Sequence, residues 1–349
     1  MAEYRVLLAG ATGYIGGSIL TGLLQSKNDA FRNLKISALV KGEDKADALK
    51  QLGVQPIVVP DYNNLETIRE AARGNDIVIN AGFGFNPAFG KALVEGLAER
   101  KKATGKDTYI IHTSGITNIA DLPLSGRFTE TRIFSDKDDI YAYEEGRESR
   151  VPYPQRTTEL TIINTADALN VKAYVVFNPI IYGTGLGTFN KFSFQIPLLI
   201  RKSLAHKQAI VVGTGDGIWG HVHIEDLVDL YLLILEKVVV SKTTEIPANK
   251  KGIYCSEAGE TTFLDISREI GKEGRALGVF ETDEVRSLTL QAGAEAIGFN
   301  EAVVELAFAS NARTKSDRAR ELFGWKPKKT IEDFKKSIHD EFRALYQGN

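Results

Sequence analysis

Apolar residues recur along the first half of the chain in short blocks separated by amphipathic stretches. A short apolar block between glycine or polar residues indicates a buried strand, and apolar residues three or four positions apart indicate a helix. The predicted strands are Arg5–Ala9, Lys35–Lys41, Val54–Asp61, Asp76–Gly82, Thr108–Gly115 and Lys172–Pro179. The predicted helices are Tyr14–Gln25, Lys45–Leu52, Leu65–Arg73, Lys91–Lys101 and Thr157–Leu169. The segment Ile119–Pro154 interrupts this alternation as a long excursion that could cover a site.

Strands that alternate with helices predict an α/β fold in which a doubly wound parallel sheet of the Rossmann type has helices on both faces. After Pro179 the pattern loosens into a glycine-rich, aromatic stretch that we interpret as loop. A helix at Ile196–Ala205, a strand at Ala209–Gly215 and an apolar helix at Asp226–Lys237 follow.

The change of pattern after the sixth strand predicts two parts. We predict a dinucleotide-binding domain over residues 1–180, to which segments from about 206–240 return. Residues 181–349 would then be mainly a smaller C-terminal α/β substrate-binding region with helical segments.

Composition and charge exclude several classes of partner. The 349 residues are 43% hydrophobic and carry a formal net charge of −2, so there is no basic excess to drive nucleic-acid binding. The single cysteine, Cys255, excludes an internal disulfide framework. The apolar run near the N-terminus is too short for a membrane span and lacks a signal peptide's layout, which predicts a cytoplasmic protein without a membrane partner.

Three glycines stand at the junction of the first strand and the first helix. Gly10, Gly13 and Gly16 lie in the sequence GATGYIGG. In this position the first glycine permits a tight turn, the second lets the backbone approach a pyrophosphate, and the third lets helix and sheet pack closely. The helix start offers free N–H groups to an anion. We therefore predict a dinucleotide site here rather than a plain structural turn.

The spacing GxxGxxG, together with later motifs, resembles the extended or atypical short-chain dehydrogenase/reductase superfamily of epimerases, dehydratases and reductases. The motifs, in order along nearly the whole chain, are VVPDYNN, INAG, HTSG, FNPIIYGTG, VHIEDL and ARELFGWKPKKTIEDF. The resemblance implies cofactor contacts from residues that follow successive strands: Gly10, Thr12, Gly13, Tyr14, Ile15, Gly16, Asp61, Tyr62, Ala81, Gly82, Phe83, Thr113, Asn178, Pro179 and Ile181. It also implies dimers formed through a four-helix bundle, although nothing in the sequence fixes the oligomeric state.

The end of the second strand discriminates between the two nicotinamide cofactors. A carboxylate there accepts from a free ribose 2′-hydroxyl, whereas a cation pairs with a 2′-phosphate. The strand ends at Lys41, and the acids Glu43 and Asp44 come only later. We therefore predict NADP, with NAD as the alternative, although an exposed lysine after a strand is commonly only a solvated charge.

The superfamily's reductases use a serine after the fifth strand and a Tyr-x-x-x-Lys pair on the next helix. Ser114 fits the serine position, but none of the twelve tyrosines has a lysine four residues later. Counting along the helix from Glu159 places Val151 and Gln155 at the pair's positions. Tyr153 and Arg156 are the nearest substitutes, and a structural role for both is an equal alternative to catalysis.

The expected phosphate-binding arginine is also absent, because Trp219 stands where the nucleotide-sugar epimerases carry it. This favours a small substrate without a diphosphate, for which we hypothesise an aromatic or polyketide-like compound, unless Trp219 belongs to the core. His221 and His223 with Glu225 suggest a metal site, but no firm third ligand follows, and we predict none.

Three functions remain open at this point. The leading hypothesis is an NADP-dependent oxidoreductase that acts on a carbonyl or hydroxyl group of a small non-nucleotide substrate. The second is a redox-neutral enzyme of the epimerase or dehydratase kind. The third, motivated by the missing catalytic pair, is a non-catalytic protein that senses NAD(P).

Overall fold

The computed structural model describes residues 4–240 and 246–348. In that part of the chain the strands are β1 (Arg5–Ala9), β2 (Lys35–Val40), β3 (Gln55–Val58), β4 (Ile77–Asn80), β5 (Tyr109–Gly115), β6 (Ile133–Ser135), β7 (Lys172–Asn178), β8 (Ile180–Tyr182), β9 (Ile210–Val212), β10 (Ile218–His223), β11 (Ile253–Cys255), β12 (Gly259–Thr262), β13 (Arg286–Leu288) and β14 (Arg313–Lys315).

The α-helices of the same residues alternate with these strands. They are α1 (Tyr14–Gln25), α2 (Glu43–Gln51), α3 (Leu65–Arg73), α4 (Pro87–Thr104), α5 (Ile140–Glu148), α6 (Pro154–Ala168), α7 (Gln195–His206), α8 (Ile224–Val240), α9 (Phe263–Ala276), α10 (Leu290–Ile297), α11 (Glu301–Phe308), α12 (Asp317–Phe323) and α13 (Ile331–Gln347). Each helix predicted in the first half is present, and its bounds differ from the predicted ones by up to four residues.

Seven strands form one parallel sheet in the order β11-β7-β5-β4-β1-β2-β3. The chain builds outward from β1 to β3 on one side and then returns to build from β4 on the other. The strand order therefore reverses between β1 and β4, and a crevice opens at the carboxyl ends of these strands, where open α/β sheets bind ligands. The doubly wound α/β fold predicted from the sequence is confirmed.

Both faces of the sheet are covered, as the nearly continuous apolar strands require. One face packs against α1 and α8, which approach so closely that a side chain at Gly22 would meet Val228. The other face packs against α3, α4 and α6, and Gly90 of α4 lies directly against Ile162 of α6. These layers fix the strand ends that carry the candidate site.

Residues from both halves of the chain form a further apolar core, with which small sheets are associated. A three-stranded sheet has the order β12-β10-β8, and two-stranded sheets join β13 with β9 and β14 with β6. The interpretation of residues after Pro179 as loop was therefore wrong at β8, which pairs with β10 in parallel. No helix among the described residues is long and apolar enough to cross a membrane.

Candidate functional site

The predicted cofactor residues lie at the carboxyl edge of the large sheet. The glycine turn follows β1, Lys41 follows β2, Ala81 to Phe83 follow β4, and Asn178 ends β7. Because the strands are parallel neighbours, their carboxyl ends meet at one edge. The fold thus gathers residues that are up to 171 positions apart, from Gly10 to Ile181, around the crevice between β1 and β4.

The backbone of the turn after β1 can accommodate a pyrophosphate. Gly10 has a φ of +92°, a conformation that favours glycine, and a side chain there would lie 2.9 Å from the Ala81 carbonyl carbon. A side chain at Gly16 would lie 2.2 Å from the Gly10 oxygen. Gly13 is the N-cap of α1 and offers no capping side chain, and the first turn carries no acidic residue. The N–H groups at this helix start are therefore available to an anion.

A cleft of about 360 Å³ opens beside this turn. Its walls are Tyr14, Ile15, Ala81, Pro179 and Ile181 on the sheet side and Asn190, Phe192, Ser193, Phe194 and Gln195 on the other. None of these lining residues is charged. The buried Ser193 hydroxyl has no hydrogen-bond partner among the described residues, so a polar atom of a bound ligand could satisfy it. The residues present therefore fit a dinucleotide.

Aromatic side chains line the edge of the sheet next to β4. The Tyr62 and Phe83 rings lie 4.3 Å apart, and Phe83 lies 4.5 Å from Phe89. Phe83 has a φ of +57°, which is uncommon for a bulky residue and arises at functional sites. The exposed Asp61 accepts a hydrogen bond from the Asn63 N–H with its side chain. The Asp61 carboxylate is thus part of a turn as well as a neighbour of Tyr62.

Lys41 lies exposed at the carboxyl end of β2. The next residue, Gly42, has a φ of +94° and is the N-cap of α2. Glu43 and Asp44 occupy the first turn of that helix, where their charges stabilise its N-terminus. The Lys41 ammonium therefore lies at the end of β2, whereas the Glu43 and Asp44 carboxylates stabilise the start of α2.

Ser114 is almost completely buried, and its hydroxyl belongs to a polar cluster beneath the strand end. Asn118 Nδ2 lies 3.3 Å from Ser114 Oγ and donates to Glu159 Oε2 at 2.9 Å. Ser114 and Glu144 both lie close enough to Glu159 to affect the pKa of its carboxyl group. Both glutamates are fully buried. Sequence reasoning used Glu159 only as a marker of position and missed Glu144 and Asn118, because Glu144 lies in the excursion.

Tyr153 is the N-cap of α6 and reaches the carboxyl end of β5. Its hydroxyl contacts Thr117, and its ring packs edge-on against the exposed Phe85 at 6.1 Å. Burial raises the pKa of the phenol, although the Thr117 contact and Arg156 oppose this. Gln155 also points at Thr117 and lies against Gly115, whereas Val151 is exposed. The two positions counted as equivalent to the tyrosine–lysine pair hold neither a phenol nor an ammonium.

Arg156 is buried and its guanidinium binds protein groups. Nη1 donates to the Asn118 carbonyl at 2.7 Å, Nη2 donates to the Val151 carbonyl, and Nε donates to Glu148 at 2.9 Å. Glu148 also accepts from the Tyr153 backbone N–H. These bonds connect the end of α5 to the start of α6 and to the turn after β5. All three guanidinium nitrogens of Arg156 therefore donate to protein groups.

Asn178 and Thr113 also have protein partners. Asn178 Nδ2 donates to the Ser114 carbonyl at 2.9 Å, and Oδ1 accepts from Ser256 at 2.9 Å. Thr113 Oγ1 lies 2.6 Å from the Tyr231 hydroxyl of α8, on the opposite face of β5 from Ser114. These two residues connect the ends of β5 and β7 to neighbouring elements.

The sequence left two alternatives for Trp219, a substrate contact or a core residue. In the structure Trp219 lies in the core. It is 2% exposed, its indole N–H donates to the Ser310 carbonyl at 3.0 Å, and its ring packs against Phe263. His221 stacks on Phe334 with centroids 4.4 Å apart, and burial lowers its pKa to about 4. Among the described residues, no group of three His, Cys, Asp or Glu side chains could hold a metal ion.

Comparisons with known proteins found a matching family model and several relatives. The model of the NAD dependent epimerase/dehydratase family matches residues 132–246. The oxidase UcsJ of an Acremonium species is 28% identical over 342 residues, which are 93% of this chain and 92% of that protein. A 4-hydroxy-2-methyl-3-oxo-4-farnesyl-3,4-dihydroquinoline-1-oxide ketoreductase of Stigmatella aurantiaca is 31% identical over 77 residues, which are 22% of this chain and 21% of the ketoreductase.

The fold is shared with a solved sugar-nucleotide enzyme. The dTDP-glucose 4,6-dehydratase DesIV of Streptomyces venezuelae, whose structure contains NAD, superposes with a TM-score of 0.67 at 14% identity. The superposition covers 99% of this chain and 97% of DesIV. The family match over residues 132–246, the sheet topology and the glycine turn are consistent with the resemblance to the extended short-chain dehydrogenase/reductase superfamily, of the NAD-dependent epimerase/dehydratase type.

Proposed function

We propose that this protein is an oxidoreductase that binds NADP and interconverts a carbonyl and a hydroxyl group on a small substrate without a diphosphate. The observation that carries the proposal is the cleft beside the glycine turn, which joins the helix start to aromatic side chains and has no charged residue in its lining. A bound nicotinamide would supply or accept a hydride. The N–H groups at the start of α1 can hold the pyrophosphate of the cofactor, but the uncharged lining offers no cation for a second diphosphate, which favours an uncharged substrate.

Relatives support the redox chemistry and the class of substrate. UcsJ is named an oxidase, and the Stigmatella protein is named for the ketone of a dihydroquinoline. A ring system of that kind suits a cleft bordered by Phe192 and Phe194, because aromatic faces stack on each other. We therefore propose an aromatic or polyketide-like carbonyl compound as the substrate. With Trp219 in the core, this proposal rests on the cleft and not on that tryptophan.

The roles of the individual residues follow from where they lie. We propose that Gly10, Thr12, Gly13, Tyr14, Ile15 and Gly16 hold the pyrophosphate with their backbone and that Lys41 pairs with the 2′-phosphate. Ser114 and Tyr153 are the proposed catalytic residues. Arg156 is proposed as a positioning residue for Tyr153, because its hydrogen bonds fix the start of α6.

Calorimetry followed by turnover tests the proposal. NADPH and NADH are titrated into the purified protein, and nicotinamide absorbance is then followed with aromatic ketones and quinones. We expect tighter binding of NADPH and turnover of at least one aromatic carbonyl compound. If neither dinucleotide binds, the assignment of the glycine turn is wrong.

The missing catalytic pair favours a second candidate function. Gln155 lies against Gly115 in place of an ammonium, and Val151 points to solvent. A protein that binds NAD(P) without reducing a substrate would need the dinucleotide site but no phenol or ammonium at these two positions. Tight dinucleotide binding without turnover of any carbonyl compound would favour this sensing role over the oxidoreductase.

A further inference from the structure

The polar cluster beneath Ser114 contains two buried carboxyl groups. Neither of them would stabilise the fold as a charged carboxylate. Glu144 of α5 and Glu159 of α6 are 0% exposed and face each other. Two ionised carboxylates in contact in an apolar interior repel strongly, so one of them must hold a proton. Neither Glu144 oxygen has a hydrogen-bond partner among the described residues, whereas a proton shared with Glu159 would provide one.

Glu159 is the member of the pair that reaches the active site. It accepts a hydrogen bond from Asn118 Nδ2 at 2.9 Å, and the same amide nitrogen lies 3.3 Å from Ser114 Oγ, which is close enough to Glu159 to favour its carboxylate. The chain of contacts therefore runs from Glu144 through Glu159 to Ser114 at the carboxyl end of β5. Ser114 is where the superfamily's reductases place the serine that contacts the substrate oxygen.

We propose that Glu159, backed by a protonated Glu144, exchanges the proton of the reaction through Ser114 and thereby replaces the absent tyrosine–lysine pair. The inference rests on the proposed oxidoreductase function. In the direction of reduction, the Ser114 O–H bond breaks as an O–H bond forms on the substrate oxygen, and the Glu159 proton moves to Ser114 Oγ. The electron pair that reduces the carbon is the hydride of the bound nicotinamide. When the product has left, water returns one proton through Ser114.

The surroundings suit a group that gains and loses a proton near neutral pH. Burial raises the pKa of Glu159 to about 7, while hydrogen bonds from Ser114, Glu144 and Asn118 favour its carboxylate. Burial raises the pKa of Glu144 well above its usual value, and the Glu159 charge adds to this. Arg156 of α6 lowers both pKa values, and the Cys255 thiol on β11 is a further titratable group that senses the Glu159 charge. A general acid or base is most effective when its pKa lies near the working pH.

Glu159→Gln tests the relay because glutamine keeps the shape and cannot exchange the proton. We expect kcat to fall about 100-fold, the usual contribution of a general acid or base, with little change in KM. The wild-type dependence of kcat/KM on pH should lose its transition near neutral pH in this variant. Glu305→Gln is the matched control, since Glu305 is also fully buried but binds the Ser125 N–H in another part of the core. A wild-type rate and pH profile in Glu159→Gln would overturn the inference.

Infrared spectroscopy gives a readout that needs no turnover. The wild-type protein should show a carboxylic acid stretch that titrates near neutral pH, disappears in Glu159→Gln and shifts its midpoint in Ser114→Ala. Absence of such a band, or a band unchanged in both variants, would overturn the relay even in an active enzyme. The expected band in a protein that reduces no carbonyl compound would support the proton-exchange site while the proposed oxidoreductase function failed.

Discussion

At the scale of single residues, the charge at the end of β2 should decide which dinucleotide binds. Lys41 is exposed there, and a charge-assisted hydrogen bond to a phosphate contributes about 1.5–3 kcal/mol. We predict that Lys41→Glu lowers the preference for NADPH over NADH by about tenfold or more, because the carboxylate repels a 2′-phosphate and accepts from a 2′-hydroxyl. Calorimetric titration of both cofactors measures this ratio.

The control for this prediction has the same change of charge elsewhere. Lys27 is also exposed, but it follows α1 near the opposite edge of the sheet. Lys27→Glu should leave the preference as it is in the wild type. An equal shift in both variants would show that net charge, and not the position of Lys41, sets the preference.

The core position of Trp219 predicts an effect on stability rather than on substrate binding. Trp219→Phe removes the indole N–H that binds the Ser310 carbonyl and should lower the free energy of unfolding by about 1–3 kcal/mol. KM for an accepted substrate should not change. Urea unfolding and steady-state kinetics measure the two effects. Trp325→Phe is matched, since Trp325 is equally buried and donates to the Asp226 carbonyl, and a rise in KM confined to Trp219→Phe would return Trp219 to the substrate site.

Sequence could indicate some residues of the site and not others. The place of Ser114 at the carboxyl end of β5 was predictable because an apolar run followed by a glycine marks the end of that strand. The burial of Trp219 was not, because a tryptophan's neighbours come from Ser310 and Phe263, which lie far along the chain. The left-handed backbone of Phe83 was also beyond prediction, since local sequence gives no reason for a bulky residue to adopt it.

At the scale of elements, the length of a strand decided whether the hydrophobic pattern of the sequence could predict it. β5 and β7 have seven residues each and are flanked by turns, so their apolar runs were evident. β8 and β11 have three residues each, too few to establish a period, and they are strands only because β10 and β7 offer them partners. Short strands of this kind are specified by tertiary pairing rather than by their own residues.

The segment after β8 covers the start of α1 through a close backbone contact. Tyr14 donates to the Gly183 carbonyl at 2.7 Å, the Ser18 hydroxyl accepts from the Leu186 N–H at 3.0 Å, and a side chain at Gly187 would lie 2.8 Å from the Gly17 backbone. We predict that Gly187→Ala pushes this segment off α1, lowers stability by about 1–3 kcal/mol and weakens dinucleotide binding. Thermal unfolding and calorimetry measure these changes.

An open glycine position provides the comparison for this substitution. Gly146 lies within α5, and in the part of the chain that the structure describes no atom is within 4 Å of the place where its side chain would be. Gly146→Ala should therefore stabilise the protein slightly by its higher helix propensity and leave dinucleotide affinity unchanged. Wild-type affinity in Gly187→Ala would mean that the contact on α1 does not shape the cofactor site.

At the scale of the whole molecule, the C-terminal helix is joined to the glycine turn through one buried carboxyl group. Glu341 of α13 accepts a hydrogen bond from the Gly183 N–H at 3.1 Å, and the Gly183 carbonyl accepts from Tyr14 of α1. Residues 327 positions apart thus share one small network. The sequence pattern predicted α1 with its bounds and only unspecified helical segments in the C-terminal region, and it held no information that α1 and α13 meet.

This buried carboxyl group gives the stability of the protein a dependence on pH. Burial raises the pKa of Glu341 from 4.5 to about 8, against the opposing effect of the Gly183 N–H. The folded state therefore keeps a proton that the unfolded chain releases above pH 4.5, so the contribution of Glu341 to stability is full below that pH and is lost as the pH rises to about 8. Glu341→Gln cannot ionise and should become more stable relative to the wild type across this interval, by about 1.4 kcal/mol for each pH unit. Urea unfolding of both proteins at several pH values measures the difference, and a constant difference would mean that Glu341 is ionised in the folded protein and that its charge is compensated there.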